Sequence, residues 1–287
     1  MAAPQGTIAV TGSTGRLGGR VARRLAAAGA AQTLVVRDPS RAPALPGTRV
    51  ATATYGDGEA VRAALAGHRV VLFVSASEDP DRVGEHRTFV DAAVAAGVEH
   101  LVYVSFFGAA PDATFTHARD HWHTEEHVRG RGLGFTFLRD NLYLDFLPLL
   151  AGEDGVIRGP AGDGRFAPVA LDDIADVAAS VLLDPAAHAG RTYDLTGPQA
   201  LTLTEAATRL TAATGRAVTF HDETVEEAFA SRAPYAAPEW LVEAWVSTYT
   251  AIAAGELDGV TDDVERLTGH PATGLEEVLS RAEQPAP

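Results

Sequence analysis

The sequence predicts an α/β fold, a doubly wound parallel sheet followed by a smaller C-terminal α/β lobe. Three observations predict it. Short apolar runs rich in β-branched residues recur from Thr7 to Leu138, Ala-rich helical stretches separate them, and the texture of the chain changes after Asn141.

The first run, TIAVT, enters a glycine-rich turn and then the helical VARRLAAAG. TLVVR, TRVATA, RVVLFVS, HLVYVS and FTFLR follow in order as further strands. Gly29, Gly67 and Gly97 fall just after Ala-rich stretches, where a helix end needs a residue tolerant of positive φ, and Pro39 and Pro80 open new segments. The Ala clusters at 26–31 and 92–96 read as helix interiors. Beyond Asn141 comes GEDGVIRGPAGDGR, then a helix over Leu171 to Leu183, a strand-like RTYDLTG, a helix from Thr204 and a strand-like AVTFH. Trp240, Trp245 and Tyr249 share a helical spacing that suits a core face, with pocket lining as the alternative, and Pro271 precedes a terminal amphipathic segment. The expected division is a first domain over 1–140 and a smaller lobe over 141–287 interleaved with the sheet.

Composition narrows the function classes. The 287 residues include no cysteine, so disulfides, thiolate metal sites and cysteine nucleophiles are excluded. A formal net charge of −15 with no basic stripe argues against a nucleic-acid partner, because phosphate binding needs clustered Lys and Arg. No apolar window reaches the length of a membrane span, and the N-terminal MAAPQGTIAVTG lacks the pattern of a leader, so no membrane partner and a cytoplasmic location are expected.

Directly after the first strand stands Gly12-Ser13-Thr14-Gly15-Arg16-Leu17-Gly18, with a helix behind it. A first glycine allows the tight turn and a second lets backbone approach a pyrophosphate. A third permits close helix–strand packing, and the helix N-terminus offers N–H groups to the anion. In this strand–turn–helix setting the loop predicts a Rossmann-type dinucleotide site. The end of the second strand chooses the cofactor: Arg37 comes first and Asp38 is turned away by Pro39, which favours the 2′-phosphate of NADP(H), with NAD(H) as the alternative.

The segments TGSTGRLGG, VVRDPSRA, TYGD, FVSASE, GVEHLVYVSFFGA, HARDHWHTEEHVRGRGLGFTFLRDNLYLD and GRTYDLTG resemble, in that order, the NmrA-like atypical short-chain dehydrogenases/reductases, and most of all their bacterial quinone-reducing branch. The resemblance spans essentially the whole chain. It implies that Gly12, Ser13, Thr14, Gly15, Arg16 and Leu17 hold the pyrophosphate, that Arg37 meets the 2′-phosphate, and that Ser75, Ala76 and Ser77 line the adenine ribose side. Asp57 is the carboxylate left near the adenine, since Thr54 replaces the family's acidic residue. Asp140, Asn141, Leu142 and Tyr143 flank the nicotinamide end, with Asp140 standing where the family has asparagine. Phe106, Phe107, Tyr143 and Phe146, at or just after strand ends, are the candidates for an aromatic substrate pocket.

His117, His121, His123 and His127 fall on one predicted helix ending near Gly130. The frame from His117 to His121 occupies the place of the Tyr and Lys that ordinary short-chain dehydrogenases use, so His121 and His117 are the candidate catalytic residues, weighed against surface histidines. Without the tyrosine acid, an acceptor whose reduced form is a stabilised anion is favoured, a flat aromatic or conjugated small molecule such as a quinone. Two further readings stand beside it: a redox sensor that binds dinucleotide without turnover, and a biosynthetic reductase of an imine or enone. His123-Thr124-Glu125-Glu126-His127 matches a zinc-peptidase pattern in the wrong context, so no metal is expected. A homodimer is the remaining partner expected.

Overall fold

The computed structural model describes residues 7–282. MAAPQG, part of the stretch read for a leader, lies outside them, as do the last five residues. In chain order the elements are β1 (Thr7–Thr11), α1 (Arg16–Ala27), β2 (Gln32–Val36), β3 (Thr48–Thr52), α2 (Gly58–Leu65), β4 (His68–Val74), α3 (Arg82–Ala95), β5 (His100–Phe106), α4 (Thr116–Gly130) and β6 (Gly134–Asp140). There follow α5 (Leu147–Leu150), β7 (Val156–Gly159), α6 (Leu171–Leu183), β8 (Arg191–Leu195), α7 (Leu203–Thr214), β9 (Thr219–Asp222), α8 (Val225–Arg232), α9 (Glu239–Ala253), α10 (Asp263–Thr268) and α11 (Leu275–Ala282).

A seven-stranded sheet runs in the order β3-β2-β1-β4-β5-β6-β8. The pairings among β1 to β5 are parallel, with Ala9 opposite Thr33 on one side and Val71 on the other. The order reverses at β1, whose neighbours are β2 and β4, so the crevice of a doubly wound sheet opens at the carboxyl ends of β1 and β4. The central strands are buried on both faces, which is why they read as continuous apolar runs rather than as an alternation. Beneath them Phe73 and Phe89 stack with centroids 4.2 Å apart and Tyr55 packs edge-on at 5.0 Å from Phe89. Each fully buried Phe contributes about 2–3 kcal/mol of apolar transfer relative to exposure.

The chain forms two compact units, and one of the junctions between them falls at 139/140. The first comprises residues 1–106, 120–139 and 171–194; the second comprises 107–119, 140–170 and 195–287. The chain passes between the units more than once, and the cause is specific. α6 packs on α1, where Arg24 reaches Asp176 Oδ1 at 2.6 Å and Asp172 Oδ1 at 2.9 Å, and β8 then joins the sheet beside β6. The interleaving is therefore a return of one helix and one strand to the first unit.

In the second unit β7 and β9 pair in parallel, Val156 opposite Thr219. Arg232 ties this unit together: it pairs with buried Glu223 at 3.0 Å, donates to the Arg158 carbonyl at 3.0 Å and lies 5.2 Å over the Tyr249 ring. Trp245 packs against Ala228, Val242 and Val246. The aromatic stripe of α9 accordingly joins this packing through Trp245 and Tyr249.

Candidate functional site

The glycine loop leaves β1 at Thr11. Gly12 has φ +64°, and a Cβ there would stand 2.9 Å from Val74 Cβ, so both backbone conformation and space require glycine. Gly18 is tighter still, with a Cβ position 2.4 Å from the Gly12 carbonyl oxygen. The N-cap of α1 is Gly15, with no side-chain cap and no acid in the first turn, so that helix end is open to an anion. Ser13 is 2% exposed and its Oγ has no hydrogen-bond partner among the described residues. A buried orphan hydroxyl beside an open helix N-terminus fits a phosphate group. Gly12 to Leu17 form the turn into α1, with Arg16 exposed at the first position of the helix.

Tyr55 was not singled out by the sequence, although it lies within the TYGD stretch. Its hydroxyl is 2.8 Å from both Thr11 Oγ1 and the Val74 carbonyl, and Val74 N–H donates to Thr11 Oγ1 at 2.9 Å. These bonds stitch the ends of β1 and β4 on either side of the crevice. Burial pushes the Tyr55 phenol upward, so it stays protonated.

Arg37 follows β2 and is exposed, with no hydrogen bond or ion pair to the described residues. Asp38 turns away as expected: its Oδ1 accepts from Ser40 N–H at 3.0 Å and Ser40 Oγ at 2.7 Å, capping residues 39–41. Those bonds hold its carboxyl below the ordinary range. Arg37→Ala is expected to weaken NADPH binding on the order of tenfold while leaving NADH binding unchanged, because only the 2′-phosphate loses a charge-assisted partner. The ratio of kcat/KM for the two cofactors reads this directly, and an unchanged ratio would remove Arg37 from the site. Asp57 is exposed and caps α2, accepting from Ala60 N–H at 3.0 Å, so the oxygen engaged there serves the helix end; its expected adenine contact rests on the resemblance alone.

The stretch Ser75 to Ser77 leaves β4 on the other side of the crevice, and its backbone is gripped from below. Ala76 N–H donates to His86 Nε2 at 2.9 Å, and Arg82 Nε donates to the Ala76 carbonyl at 3.1 Å. His86 Nδ1–H then donates to Thr124 Oγ1 at 2.8 Å, and that hydroxyl donates to the Asp120 carbonyl at 2.8 Å. Arg82 Nη2 meets His121 Nε2 at 3.1 Å, and His121 Nδ1 meets the Tyr103 hydroxyl at 2.9 Å. An arginine can only donate, so Nε2 accepts and the His121 proton sits on Nδ1. His121 is 5% exposed with both ring nitrogens engaged by protein groups. This geometry gives it a positioning place inside the first unit rather than a nitrogen to offer an acceptor. Sequence reading missed His86, Arg82, Tyr103 and Thr124; the signal available was that His86 and Arg82 share one helix face four residues apart.

One turn on, Glu125 is fully buried and receives Ser105 Oγ at 2.6 Å, Arg139 at 2.8 and 2.7 Å and Arg129 at 3.2 Å. Glu125 is thereby committed to the fold. His127 Nε2 pairs with Asp91 Oδ1 at 2.7 Å, which occupies one imidazole of the zinc-like pattern. His117 belongs to the second unit, half-buried, with its ring edge-on to Phe115 at 5.5 Å.

The expected nicotinamide-end residues diverge. Asn141 is fully buried and internally satisfied: its Nδ2 donates to the Leu257 carbonyl at 3.1 Å and its Oδ1 accepts from Leu142 N–H at 2.8 Å. Leu142 accepts from Val169 N–H at 2.8 Å through its carbonyl. Asp140 closes β6 and is 1% exposed. Burial lifts its pKa to about 7, and the Tyr143 hydroxyl only partly offsets that rise. Tyr143 and Phe146, half-buried, meet edge-on at 5.4 Å. Phe107 packs against Gly259, and Phe106 lies 6.0 Å from the His121 ring.

A family model described as NAD(P)H-binding matches residues 12–185. Quinone oxidoreductase 2 of Escherichia coli is 35% identical over 280 residues, covering 95% of this chain and 97% of that protein. The crystal structure of that NADPH-dependent enzyme with NADPH superposes with a TM-score of 0.88 over 97% of this chain and all of the other, at 34% identity. An NAD(P)H azoreductase of Xenophilus azovorans is 35% identical over 270 residues, 92% of this chain and 94% of its own. A Citrobacter triphenylmethane reductase complexed with NADP(H) gives a TM-score of 0.85 at 31% identity, over 96% of this chain and all of that one. The orphan Ser13 hydroxyl, the open end of α1 and these likenesses agree, and the chain belongs to the NAD(P)H-binding, NmrA-like family as an NAD(P)H-dependent oxidoreductase.

Proposed function

We propose that this chain reduces a quinone, or a similarly flat and conjugated small molecule, at the expense of NADPH. The observation that carries the proposal is the position of His121. The residue in the place of the usual acid is buried with both ring nitrogens engaged by protein groups, so His121 offers neither nitrogen to an acceptor. Reduction of a simple ketone creates a basic alkoxide that needs such a donor, whereas a reduced quinone leaves as a stabilised phenolate. The relatives that act on quinones and on triphenylmethane dyes share acceptors of that electron-poor kind.

The bound dinucleotide supplies the hydride. The work of the protein is then binding and orientation. Ser13 Oγ and the N-terminal turn of α1 hold the pyrophosphate, Arg37 selects the 2′-phosphate, and Ser75 to Ser77 line the ribose side. Phe106, Phe107, Tyr143 and Phe146 are the aromatic side chains assigned to the flat face of the acceptor.

The test is oxidation of NADPH, and separately NADH, followed by nicotinamide absorbance with and without a panel of simple quinones. Quinone-dependent loss of NADPH is expected, faster than loss of NADH. Gly15→Asp should reduce it by on the order of a hundredfold or more, since a carboxylate at the α1 N-terminus would repel the pyrophosphate. Tight NADPH binding without turnover on any quinone would return weight to a sensor or to an imine or enone reductase.

A further inference from the structure

We propose that His86 and Arg82 are cofactor-positioning residues: together they grip both polar groups of the Ala76 peptide, and the grip of His86 exists only while its ring is neutral. The inference rests on the assignment of Ser75 to Ser77 to the cofactor, and adds what holds that stretch.

The geometry fixes every donor. Ala76 N–H points at His86 Nε2 at 2.9 Å, so that nitrogen must carry a lone pair. The other ring nitrogen donates to Thr124 Oγ1, whose own proton is directed to the Asp120 carbonyl at 2.8 Å, so Thr124 can serve His86 only as acceptor. Asp120 and Thr124 belong to α4, Ala76 to the stretch after β4, and His86 spans the interval from α3. Arg82 forms the parallel strut, from the Ala76 carbonyl to His121 and, at 3.4 Å, to Asp120 Oδ2. A peptide held at both its N–H and its C=O cannot rotate without breaking a buried bond, which is how an otherwise irregular stretch keeps one conformation.

Protonation of His86 would turn Nε2 from acceptor to donor, facing an N–H. The groups around the ring make that protonation unfavourable and keep the clamp closed near neutral pH. Phe73 packs edge-on at 5.1 Å and Tyr103 lies at 6.0 Å. The charged group acting on it is the Arg82 guanidinium, and burial and that charge both hold the imidazole well below its ordinary value. The same two effects hold the clamp closed as pH falls from neutral.

The experiment measures NADP+ affinity of the full chain by calorimetry between pH 5 and pH 8, for wild type, His86→Gln, His86→Leu and Thr124→Val. Glutamine carries an acceptor and a donor spaced like the two ring nitrogens but does not titrate; leucine carries neither. The 2′-phosphate takes up a proton near pH 6 in every variant, so His86→Gln supplies the baseline for that effect. His86→Leu should bind about tenfold more weakly at pH 8, His86→Gln within about threefold of wild type, and Thr124→Val between the two. Toward pH 5 wild type and His86→Gln should lose affinity in parallel, because burial and Arg82 hold the imidazole well below its ordinary value. Wild-type affinity in His86→Leu at pH 8 would overturn the inference. If His86→Leu fails to fold, wild-type affinity in Thr124→Val would overturn it instead. Wild type that binds no dinucleotide at any pH would instead overturn the cofactor assignment itself.

Discussion

Gly18→Ala is expected to abolish useful cofactor binding, with a loss on the order of a hundredfold in NADPH affinity. The new Cβ would stand 2.4 Å from the Gly12 carbonyl oxygen, 2.5 Å from the Gly12 carbonyl carbon and 2.7 Å from the Thr11 carbonyl oxygen. All three are backbone atoms, so relief requires the loop itself to move off α1, and forcing such contacts costs about 1–3 kcal/mol. The displaced segment is the one that bears Ser13. Gly29→Ala is the matched control: Gly29 has φ +73° but nothing within 4 Å of a Cβ, so it should lose about 1 kcal/mol of stability and no affinity. Equal NADPH affinity in Gly18→Ala and wild type, by titration of nicotinamide fluorescence, would sink the assignment of this loop to the pyrophosphate.

Asp140→Asn is expected to make the fold less sensitive to a rise in pH from acid to neutral. Burial raises the Asp140 carboxyl from 3.8 to about 7, so over that interval the folded chain keeps a proton that the unfolded chain has released. Its contribution to stability is complete below 3.8 and is lost as pH rises through about 7. The displacement corresponds to on the order of 4 kcal/mol. Asparagine retains the shape without the charge; its own buried amide carries a penalty that does not vary with pH, so the informative quantity is the difference between the two proteins. Thermal melts should show the variant gaining on wild type by roughly 5 °C from pH 5 to pH 8. A difference that stays constant across that range would mean the carboxyl finds a partner when it ionises.

The parts of this molecule that the sequence displays are those whose physics is local. The glycine loop could be read because strand, turn and helix start are contiguous, and Asp38 could be read as turned away because Pro39 follows it. Gly29, Gly67 and Gly97 do adopt positive φ at helix ends. The clamp on Ala76 could not be read, since residues 76, 82, 86, 103, 121 and 124 come from different elements and meet only through the sheet. His121 drew attention by its place in the family frame, yet its partners Arg82 and Tyr103 lie 39 and 18 residues away. Asp140 was legible as a departure, but not as a buried carboxyl, because burial is a property of the packed chain. The return of α6 to the first unit was illegible for the same reason: nothing in Asp172 or Asp176 announces Arg24, 148 and 152 residues earlier.

That distant pairing also governs the order in which the chain can be made. The first unit draws on three separated stretches, the last of them ending at Asp194. During synthesis its sheet therefore stays one strand short until β8 has emerged, with the edge of β6 unpaired and Arg20 and Arg24 waiting for the acids of α6. An exposed edge in a partly finished parallel sheet invites pairing with other chains. A chain stopped at residue 140 would be held in that condition permanently, and it should collect as aggregate rather than as a free nucleotide-binding domain.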